Sequence, residues 1–452
     1  MNIALQKAPT PATRAHVALV FPTVTATSNQ GVPPTGPGVQ DPAVPAADAF
    51  KGEEIDFVLF PEGYISHSDD LRIASLSKLA SELNAPLLVG AEKADDTGRI
   101  WQTLIRFGPH QTPKLLYTKH STAVAVAFEL ADWEPDVNLP TFEIGKLRVG
   151  ATICHDHYLG LLPRHLLACG AHVWVNPSYD NVKDIKWSSI LRLRAVENRV
   201  FSLCTLHHDV HKKTSTHPFG FAPDGRELHA RQAGRNDPRP LSACSKPDAI
   251  YIVDLDLQQT ALPLDWQYLP ESVHPRRPRG GSPQLQRLVR LAAPHGKPSI
   301  YSLDGWKHVN VSTRVETEEG LLYVGLVADD DLLDPSACFR VIDEAATNHA
   351  TPVIWNHWNR LPSRPAQIAP LMMGRAIECC APIVLSDRSG IREMVELSNR
   401  NKIPARRAIH QNGEVTANLR FAWGLHSAFK IVTKHLSRHQ KARALDRYRT
   451  LA

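Results

Sequence analysis

The chain has 452 residues, and 51 lysines and arginines against 46 aspartates and glutamates give it a net charge of +5. So small a charge, with no long run of basic residues, argues against a protein that binds nucleic acid by electrostatics alone. A hydrophobic fraction of 43% is enough for sizeable cores and excludes wholesale disorder. A chain of this length predicts two or three domains.

Cysteine usage and the N-terminal residues bear on the compartment. The seven cysteines are spread along the chain without C-x-x-C spacing, so neither a disulfide framework nor a zinc knuckle is indicated. This pattern is typical of a reducing compartment. The apolar run Val17–Phe21 is too short for a signal peptide or a membrane span. We therefore expect a cytoplasmic protein that has no membrane partner.

Strands and helices alternate through the first half of the chain. Apolar runs predict strands at Val17–Phe21, Glu54–Pro61, Leu87–Ala91 and in HVWVNP at 172–177, and a hairpin over Phe142–His155. Helical spacing predicts helices over Asp70–Asn84, Leu161–Cys169 and Trp187–Asn198, the last with arginines on its polar face. The Pro- and Gly-rich stretch from Pro22 to Ala47 predicts a mobile loop. The alternation predicts a layered α/β fold.

A change in composition between residues 270 and 298 predicts a domain boundary. This stretch contains HPRRPRGGSPQ, whose proline, glycine and arginine content is typical of a linker. We therefore predict a catalytic domain at 1–269, a linker at 270–298 and a second, smaller α/β domain at 299–452.

The second predicted domain carries an apparent internal repeat of the first. Three segments recur in the same order: LRVGATIC at Leu147–Cys154 and LYVGLVAD at Leu322–Asp329; RAVEN at Arg194–Asn198 and RAIEC at Arg375–Cys379; and Phe221–Glu227 and Ile409–Glu414. The repeat predicts that 299–452 is a degenerate partial copy, in which Asp329 replaces Cys154 and no nucleophile is present.

Three segments carry a set of side chains suited to attack on an unreactive C–N carbon. FPEGY holds Glu62, YTKHS holds Lys119 and GATICHDHY holds Cys154. A carboxylate can take the thiol proton, and a fixed cation can lower the thiol pKa and stabilise an oxyanion. The backbone N–H of His155 is a candidate second oxyanion donor. Glu62 and Cys154 both follow apolar strands, so they are expected at the same carboxyl edge of a sheet.

The ordered set resembles the nitrilase, or carbon–nitrogen hydrolase, superfamily. That family has a Glu after a strand ending in Pro, a Lys in a Tyr-x-Lys context and a Cys in an Ile-Cys-x-Asp context, and all three occur here in order. The stretches LLACGAHVWVNPSYD, RLRAVENR and FGFAPDGRE are also similar to family segments. The resemblance covers roughly residues 14–256.

The resemblance implies an α-β-β-α sandwich that hydrolyses nitriles, amides or carbamoyl groups through a Cys thioester, with no cofactor and no metal. Glu62 would be the general base, Lys119 the oxyanion stabiliser and Cys154 the nucleophile. The family has a second Glu that positions substrate and Lys; Glu129 is its best match here, with Glu134 as the fallback. A homodimer is expected by family analogy. The second domain would serve packing, pocket closure or the binding of a protein partner.

Two departures from the family pattern leave the substrate open. The family's Arg-Phe-Pro-Glu after the Cys is replaced by HYLGLLPR, so that Tyr158 occupies the Arg position and alters the pocket wall. We therefore place Tyr158, with His155 and Glu129, among the substrate-positioning residues. The first helix is shortened and replaced by the Pro-rich loop. A nitrile, a linear amide, an N-carbamoyl amino acid and an ω-amide would all use the same three catalytic residues.

Two other functions would fit the same residues. In an acyltransferase, an amine or alcohol would resolve the thioester instead of water. A non-enzymatic binding or regulatory module would keep the fold without turnover. The missing family element and the silent second copy favour it, whereas the intact set of three catalytic residues argues against it.

Simpler interpretations apply to several other residues. His207, His208 and His211, with Asp209, suggest a metal site, but a solvated or substrate-adjacent loop is favoured. Arg192, Arg194, Glu197 and Arg199 predict salt bridges on one helix. Trp355 and Trp358 predict core packing or an interface. The remaining cysteines, Cys169, Cys204, Cys244, Cys338, Cys379 and Cys380, are interpreted as structural.

Overall fold

A computed structural model of the chain describes residues 14–24, 43–65, 70–94, 100–119, 141–158, 170–179, 184–209, 217–260, 286–293, 297–318, 320–348, 350–358, 368–379, 381–397, 404–411 and 415–420. These residues form two compact units. The first contains the described residues of 14–184 and 194–260, and the second those of 185–193 and 286–420.

The first unit is built on two mixed sheets. Its strands are β1 (Arg14–Phe21), β2 (Thr23–Val24), β3 (Phe57–Leu59), β4 (Leu87–Ala94), β5 (Ile100–Phe107), β6 (Lys114–Thr118), β7 (Thr141–Ile144), β8 (Leu147–Ala151), β9 (Val173–Val175), β10 (Phe201–Cys204), β11 (His208–Asp209), β12 (Phe219–Phe221), β13 (His229–Gln232), β14 (Arg239–Pro240) and β15 (Ala249–Asp256). An eight-stranded sheet has the order β14-β13-β15-β1-β3-β4-β5-β6, and a five-stranded sheet the order β12-β10-β9-β8-β7.

Helices complete the first unit. They are α1 (Asp70–Leu83), the first residue and the C-terminal part, from Arg194, of α2 (Asp184–Asn198), and 3-10 helices at Ala47–Phe50, Cys154–Tyr158, Leu241–Ala243 and Leu257–Thr260. Helix α1 has apolar residues at helical spacing, and it buries Leu76, Leu79 and Ala80 against alternate residues of the eight-stranded sheet, such as Val58 and Val89. The intervening residues of β1 and β3 are also buried, so this sheet is covered on both faces.

The second unit is also α/β. Its elements are β16 (Gln286–Ala292), β17 (Ser299–Ser302), β18 (Gly305–His308), β19 (Thr313–Thr317), β20 (Gly320–Ala328), a 3-10 helix (Asp329–Leu333), α3 (Pro335–Thr347), β21 (Thr351–His357), α4 (Ala369–Cys379), β22 (Ile383–Asp387), β23 (Gly390–Leu397), β24 (Pro404–Gln411) and β25 (Val415–Arg420). A four-stranded sheet has the order β18-β17-β16-β25, and a six-stranded sheet the order β19-β20-β21-β22-β23-β24. One core that includes Leu291 and Trp355 draws on both sheets.

The predicted α/β class and most of the predicted elements are confirmed. The hairpin forms as β7 and β8, and the first helix runs over Asp70–Leu83, one residue short of the prediction. Trp355 is a core residue of the second unit, as predicted. The predicted helix Leu161–Cys169 lies outside the described residues. No helix within the described ranges is long and apolar enough to cross a membrane.

The predicted linker overlaps an element of the second unit. Strand β16 occupies 286–292, within the predicted linker, and pairs with β17 and β25. Residues 270–285 lie outside the described residues. The domain limits at 269 and 299 therefore stay predictions.

Candidate active site

Glu62 follows the buried strand β3, and hydrogen bonds from its backbone N–H and to its backbone carbonyl hold it in place. Its N–H donates to the Ser178 carbonyl at 3.3 Å, and its carbonyl accepts a hydrogen bond from Nε2 of His207 at 2.9 Å. The Glu62 side chain is 2% exposed. These two bonds fix the backbone that carries the buried carboxylate, and so limit the directions in which it can point.

Lys119 supplies that partner. It directly follows β6, the last strand of the eight-stranded sheet, and its N–H donates to the Gln102 carbonyl at 2.8 Å. Its Nζ lies 2.6 Å from Oε1 of Glu62, and the Lys119 side chain is 11% exposed. The pair is therefore largely shielded from solvent. Charge–charge interactions are stronger in the protein interior than in water, because the effective dielectric constant is lower.

Cys154 stands at a sharp turn after β8, as the first residue of a 3-10 helix. Its φ of +47° lies in the left-handed region, which is costly for a residue with a Cβ. Its N–H donates to the Pro177 carbonyl at 2.9 Å, and its carbonyl accepts hydrogen bonds from Nδ2 of Asn176 at 3.2 Å and from Nδ1 of His157. These three bonds hold the turn that presents the thiol.

Burial and the negative charge of Glu62 keep the thiol protonated at rest. Burial and the nearby Glu62 carboxylate raise the pKa of Cys154 to about 12, although Lys119 opposes the shift. Burial alone would lower the pKa of Lys119, but Cys154, Glu62 and Asp156 raise it above its usual value. The arrangement at neutral pH is a neutral thiol near an ammonium group that is paired with Glu62.

A buried arginine supports the Cys154 turn from helix α2. Nε of Arg194 donates to the His157 carbonyl at 2.8 Å, and its Nη1 lies 2.5 Å from Oε1 of Glu197. Both side chains are fully buried. The predicted salt bridge is present. The prediction that the arginines lie on a polar face is wrong for Arg194, because this part of the helix packs against the turn that carries Cys154.

His207 is a support for Glu62 and not a solvated loop residue. The ring is 1% exposed, and burial lowers its pKa to about 4, so at neutral pH it is uncharged and its Nε2 donates to the Glu62 carbonyl. His211 lies outside the described residues. Among the residues that are described, no three His, Cys, Asp or Glu side chains form a group that could hold a metal ion.

The structure thus brings Glu62, Lys119 and Cys154 together, and it places the other predicted residues as follows. His155 is the second residue of the 3-10 helix that begins at Cys154. The backbone of Tyr158 ends that helix, but its side chain is not described. Glu129 and its alternative Glu134 lie outside the described residues.

The sequence model of one protein family, Carbon-nitrogen hydrolase, matches residues 34–259, which are 226 of the 452 residues. The match includes all three side chains that meet at the end of β8. The chain belongs to the carbon–nitrogen hydrolase family.

Two curated relatives carry the same name. Omega-amidase NIT2 of Homo sapiens is 29% identical over 150 residues, which cover 31% of this chain and 54% of the relative. Omega-amidase NIT2 of Mus musculus is 27% identical over 134 residues, which cover 28% of this chain and 49% of the relative. The chain therefore matches about half the length of these relatives.

Solved structures of family members resemble this chain loosely. Saccharomyces cerevisiae Nit3, of branch 10 of the nitrilase superfamily, gives a TM-score of 0.40 at 17% identity and covers 55% of this chain and 92% of its own. A mutant of the amidase from Nesterenkonia sp. AN1, with an acetamide moiety added covalently at its active-site cysteine, gives 0.39 at 16% identity, with the same coverage.

Proposed function

We propose that the chain is an amidase that cleaves the C–N bond of small, non-peptide amides through a thioester on Cys154. The observation that carries the proposal is the shielded contact of Lys119 with Glu62, 2.6 Å long, beside the Cys154 thiol, whose pKa the same carboxylate raises. Family membership supports C–N bond cleavage. The names of the two relatives favour amides over the other candidate substrates, which are N-carbamoyl compounds and nitriles.

Acylation begins with a proton transfer, because the resting thiol is neutral. Glu62 accepts the Sγ proton while sulfur attacks the amide carbon and the carbonyl electrons move to oxygen. The Lys119 ammonium group stabilises this oxyanion, and we assign the second donor to the backbone N–H of His155. Glu62 then passes its proton to the amide nitrogen, the C–N bond breaks and ammonia leaves, with the acyl group held on sulfur.

Deacylation reverses the roles with water as the nucleophile. Glu62 takes a proton from water as the oxygen attacks the thioester carbon, and Lys119 again stabilises the oxyanion. The C–S bond then breaks, Glu62 returns the proton to sulfur, and a carboxylic acid leaves. If an amine or alcohol took the place of water, the same steps would give acyl transfer.

The test is ammonia release from a panel of linear amides, ω-amides, N-carbamoyl amino acids and nitriles. Intact mass is read in parallel, with Cys154→Ala beside the wild type and Cys204→Ala as a matched control, since Cys204 is a buried thiol that ends β10 in the same sheet as β8. We expect ammonia and an acyl adduct from the wild type and Cys204→Ala, and neither from Cys154→Ala.

The other outcomes separate the rival functions. An acyl adduct that releases no acid in water but transfers to hydroxylamine would indicate an acyltransferase. Neither adduct nor ammonia across the whole panel, from protein that is folded, would overturn the proposal and favour a binding module.

We further propose that the second unit is a degenerate copy of the part of the first unit that carries the nucleophile. Two features of the sheets support this. Three parallel strands, β20 to β22, are flanked by antiparallel β19 and β23, as β8 to β10 are flanked by β7 and β12. Asp329 follows β20 with a φ of +39°, beside +47° for Cys154 after β8.

Matching hydrogen bonds also support the copy. Nδ2 of Asn356 donates to the Asp329 carbonyl at 3.0 Å, as Asn176 donates to Cys154. Nε of Arg375 donates at 3.0 Å to the carbonyl of Leu332, the third residue after Asp329. Arg194 makes the same bond to the third residue after Cys154. Because Asp329 has no thiol, this turn would not form a thioester.

A further inference from the structure

We propose that Tyr117 and Asp156 are positioning residues that lock the lysine-bearing strand to the cysteine-bearing turn. The inference rests on the proposed function, since it concerns the reaction of Cys154. Both residues occur in the Tyr-x-Lys and Ile-Cys-x-Asp contexts of the sequence, and neither takes part in the proton transfers of acylation and deacylation.

One hydrogen bond joins the two contexts. The Tyr117 hydroxyl donates to Oδ2 of Asp156 at 2.7 Å. Asp156 is fully buried and Tyr117 is 3% exposed. Hydrogen bonds to a buried carboxylate are among the stronger ones in proteins, and their loss leaves a desolvated charge with fewer partners.

The positions of the two residues make this bond a cross-link between catalytic groups. Tyr117 lies two residues before Lys119, near the end of β6 in the eight-stranded sheet, and Asp156 lies two residues after Cys154, in the turn that follows β8 of the five-stranded sheet. Since β6 is the last strand of its sheet, it pairs with β5 along one side. A tether from β6 to the turn therefore constrains where Lys119 lies relative to the thiol.

The environment of the bond keeps Tyr117 as the donor and Asp156 as the acceptor. Burial and the neighbouring Asp156 raise the pKa of Tyr117 well above its usual value, so the phenol stays protonated. Asp156 also contributes to the raised pKa of Lys119. The carboxylate thus acts on the catalytic lysine both through the tether and through its field.

The first test measures turnover of the full chain. Tyr117→Phe removes the hydroxyl and little else, and Asp156→Asn keeps an oxygen that can accept the bond, whereas Asp156→Ala does not. We expect Tyr117→Phe and Asp156→Ala to lower kcat/KM about 10- to 100-fold, mainly through kcat, because small displacements of reacting groups have effects of this size. Asp156→Asn should fall between these variants and the wild type.

A double mutant and a matched control separate positioning from simple stability. Tyr117→Phe with Asp156→Ala should be no slower than the worse single variant, because both remove the same bond. Tyr251→Phe removes a buried hydroxyl that bonds to the backbone of Lys246 in the same unit. It should lower the melting temperature without lowering kcat. Equal kcat values for Tyr117→Phe and Tyr251→Phe would overturn the inference.

A second readout does not depend on turnover, so it separates failure of this inference from failure of the proposed function. In Glu62→Gln protein, Lys119 still favours the Cys154 thiolate and so lowers the pKa of the thiol. The pH profile of alkylation by iodoacetamide follows that pKa, and it therefore reports how close Lys119 lies to the thiol. Adding Tyr117→Phe should move that profile to higher pH, and adding Tyr251→Phe should not. An unchanged profile with Tyr117→Phe would contradict the inference even if the wild type hydrolyses no amide.

Discussion

The Glu62 carboxylate has two opposite effects on the reactivity of the Cys154 thiol, and substitution of this one residue allows both to be measured. Its carboxylate raises the pKa of the thiol in the resting protein, yet the same carboxylate is the group that can accept the thiol proton during attack. Lys119 opposes the first effect, and in the proposed reaction it stabilises the oxyanion. Fast reaction with a simple alkylating agent is therefore not expected of this thiol at neutral pH.

Glu62→Gln should move alkylation and hydrolysis in opposite directions. Without the negative charge, the pKa of Cys154 should fall from about 12, and alkylation by iodoacetamide at pH 7.5 should become at least about tenfold faster, since one pKa unit is a factor of ten in thiolate. Loss of the base should lower kcat for amide hydrolysis by about 10²- to 10⁴-fold. The rates of both reactions are measured for Glu62→Gln and for the wild type. The alkylation rate of Cys154→Ala is first subtracted from each alkylation rate, so that only the reaction of Cys154 is compared.

Glu143→Gln serves as the control for this prediction, because the Glu143 side chain is 70% exposed and pairs with Arg148. It should change neither rate. If Glu62→Gln slowed alkylation, the Glu62 carboxylate would not be the group that keeps the resting thiol protonated.

At the scale of the elements, Glu62 is positioned by the close approach of two backbone segments, which are β4 and the turn after β3. A Cβ on Gly90 in β4 would lie 2.3 Å from the Pro61 carbonyl oxygen and 2.4 Å from Cα of Glu62. Backbone atoms cannot move aside as a side chain can, so the turn that carries Glu62 depends on a glycine in the neighbouring strand.

Gly90→Ala should therefore displace Glu62 from Lys119. We expect a loss of about 1–3 kcal/mol in the free energy of unfolding and, at temperatures where the variant is folded, a fall in kcat of about 100-fold. Gly108→Ala is the control, since the Cβ there would meet the flexible end of the Gln111 side chain. Urea unfolding and ammonia release, measured on both variants, test the prediction; wild-type kcat in folded Gly90→Ala would contradict it.

The elements and the three central side chains could be predicted from sequence because their signals are local. Apolar runs mark the strands that Glu62 and Cys154 follow, and the spacing in Asp70–Leu83 marks helix α1. The supporting contacts have no local signal. Tyr117 and Asp156 are 39 residues apart, and His207 and Glu62 are 145 apart, so their meeting depends on how strands are placed in the sheets. The prediction for Arg194 is wrong because charge predicts exposure unless a buried partner is known.

At the scale of the whole molecule, the described residues of the two units share one local arrangement around a turn. In each unit, an arginine in a helix bonds to the carbonyl three residues after a strained turn and pairs with a glutamate three residues along the helix. The pairs Arg194–Glu197 and Arg375–Glu378 are both fully buried. The turns differ in the side chain that they present, which is a thiol in the first unit and a carboxylate in the second.

Matched substitutions in the two units should therefore have equal effects on stability and unequal effects on activity. Arg194→Met and Arg375→Met each leave a glutamate buried without its arginine, which costs about 3–5 kcal/mol, so both should lower the melting temperature. Below both transitions, Arg194→Met should slow ammonia release, because it frees the turn that carries Cys154, whereas Arg375→Met and Asp329→Ala should not. Loss of ammonia release in folded Asp329→Ala would show that the second unit takes part in the reaction, and would contradict its interpretation as a copy without catalytic chemistry.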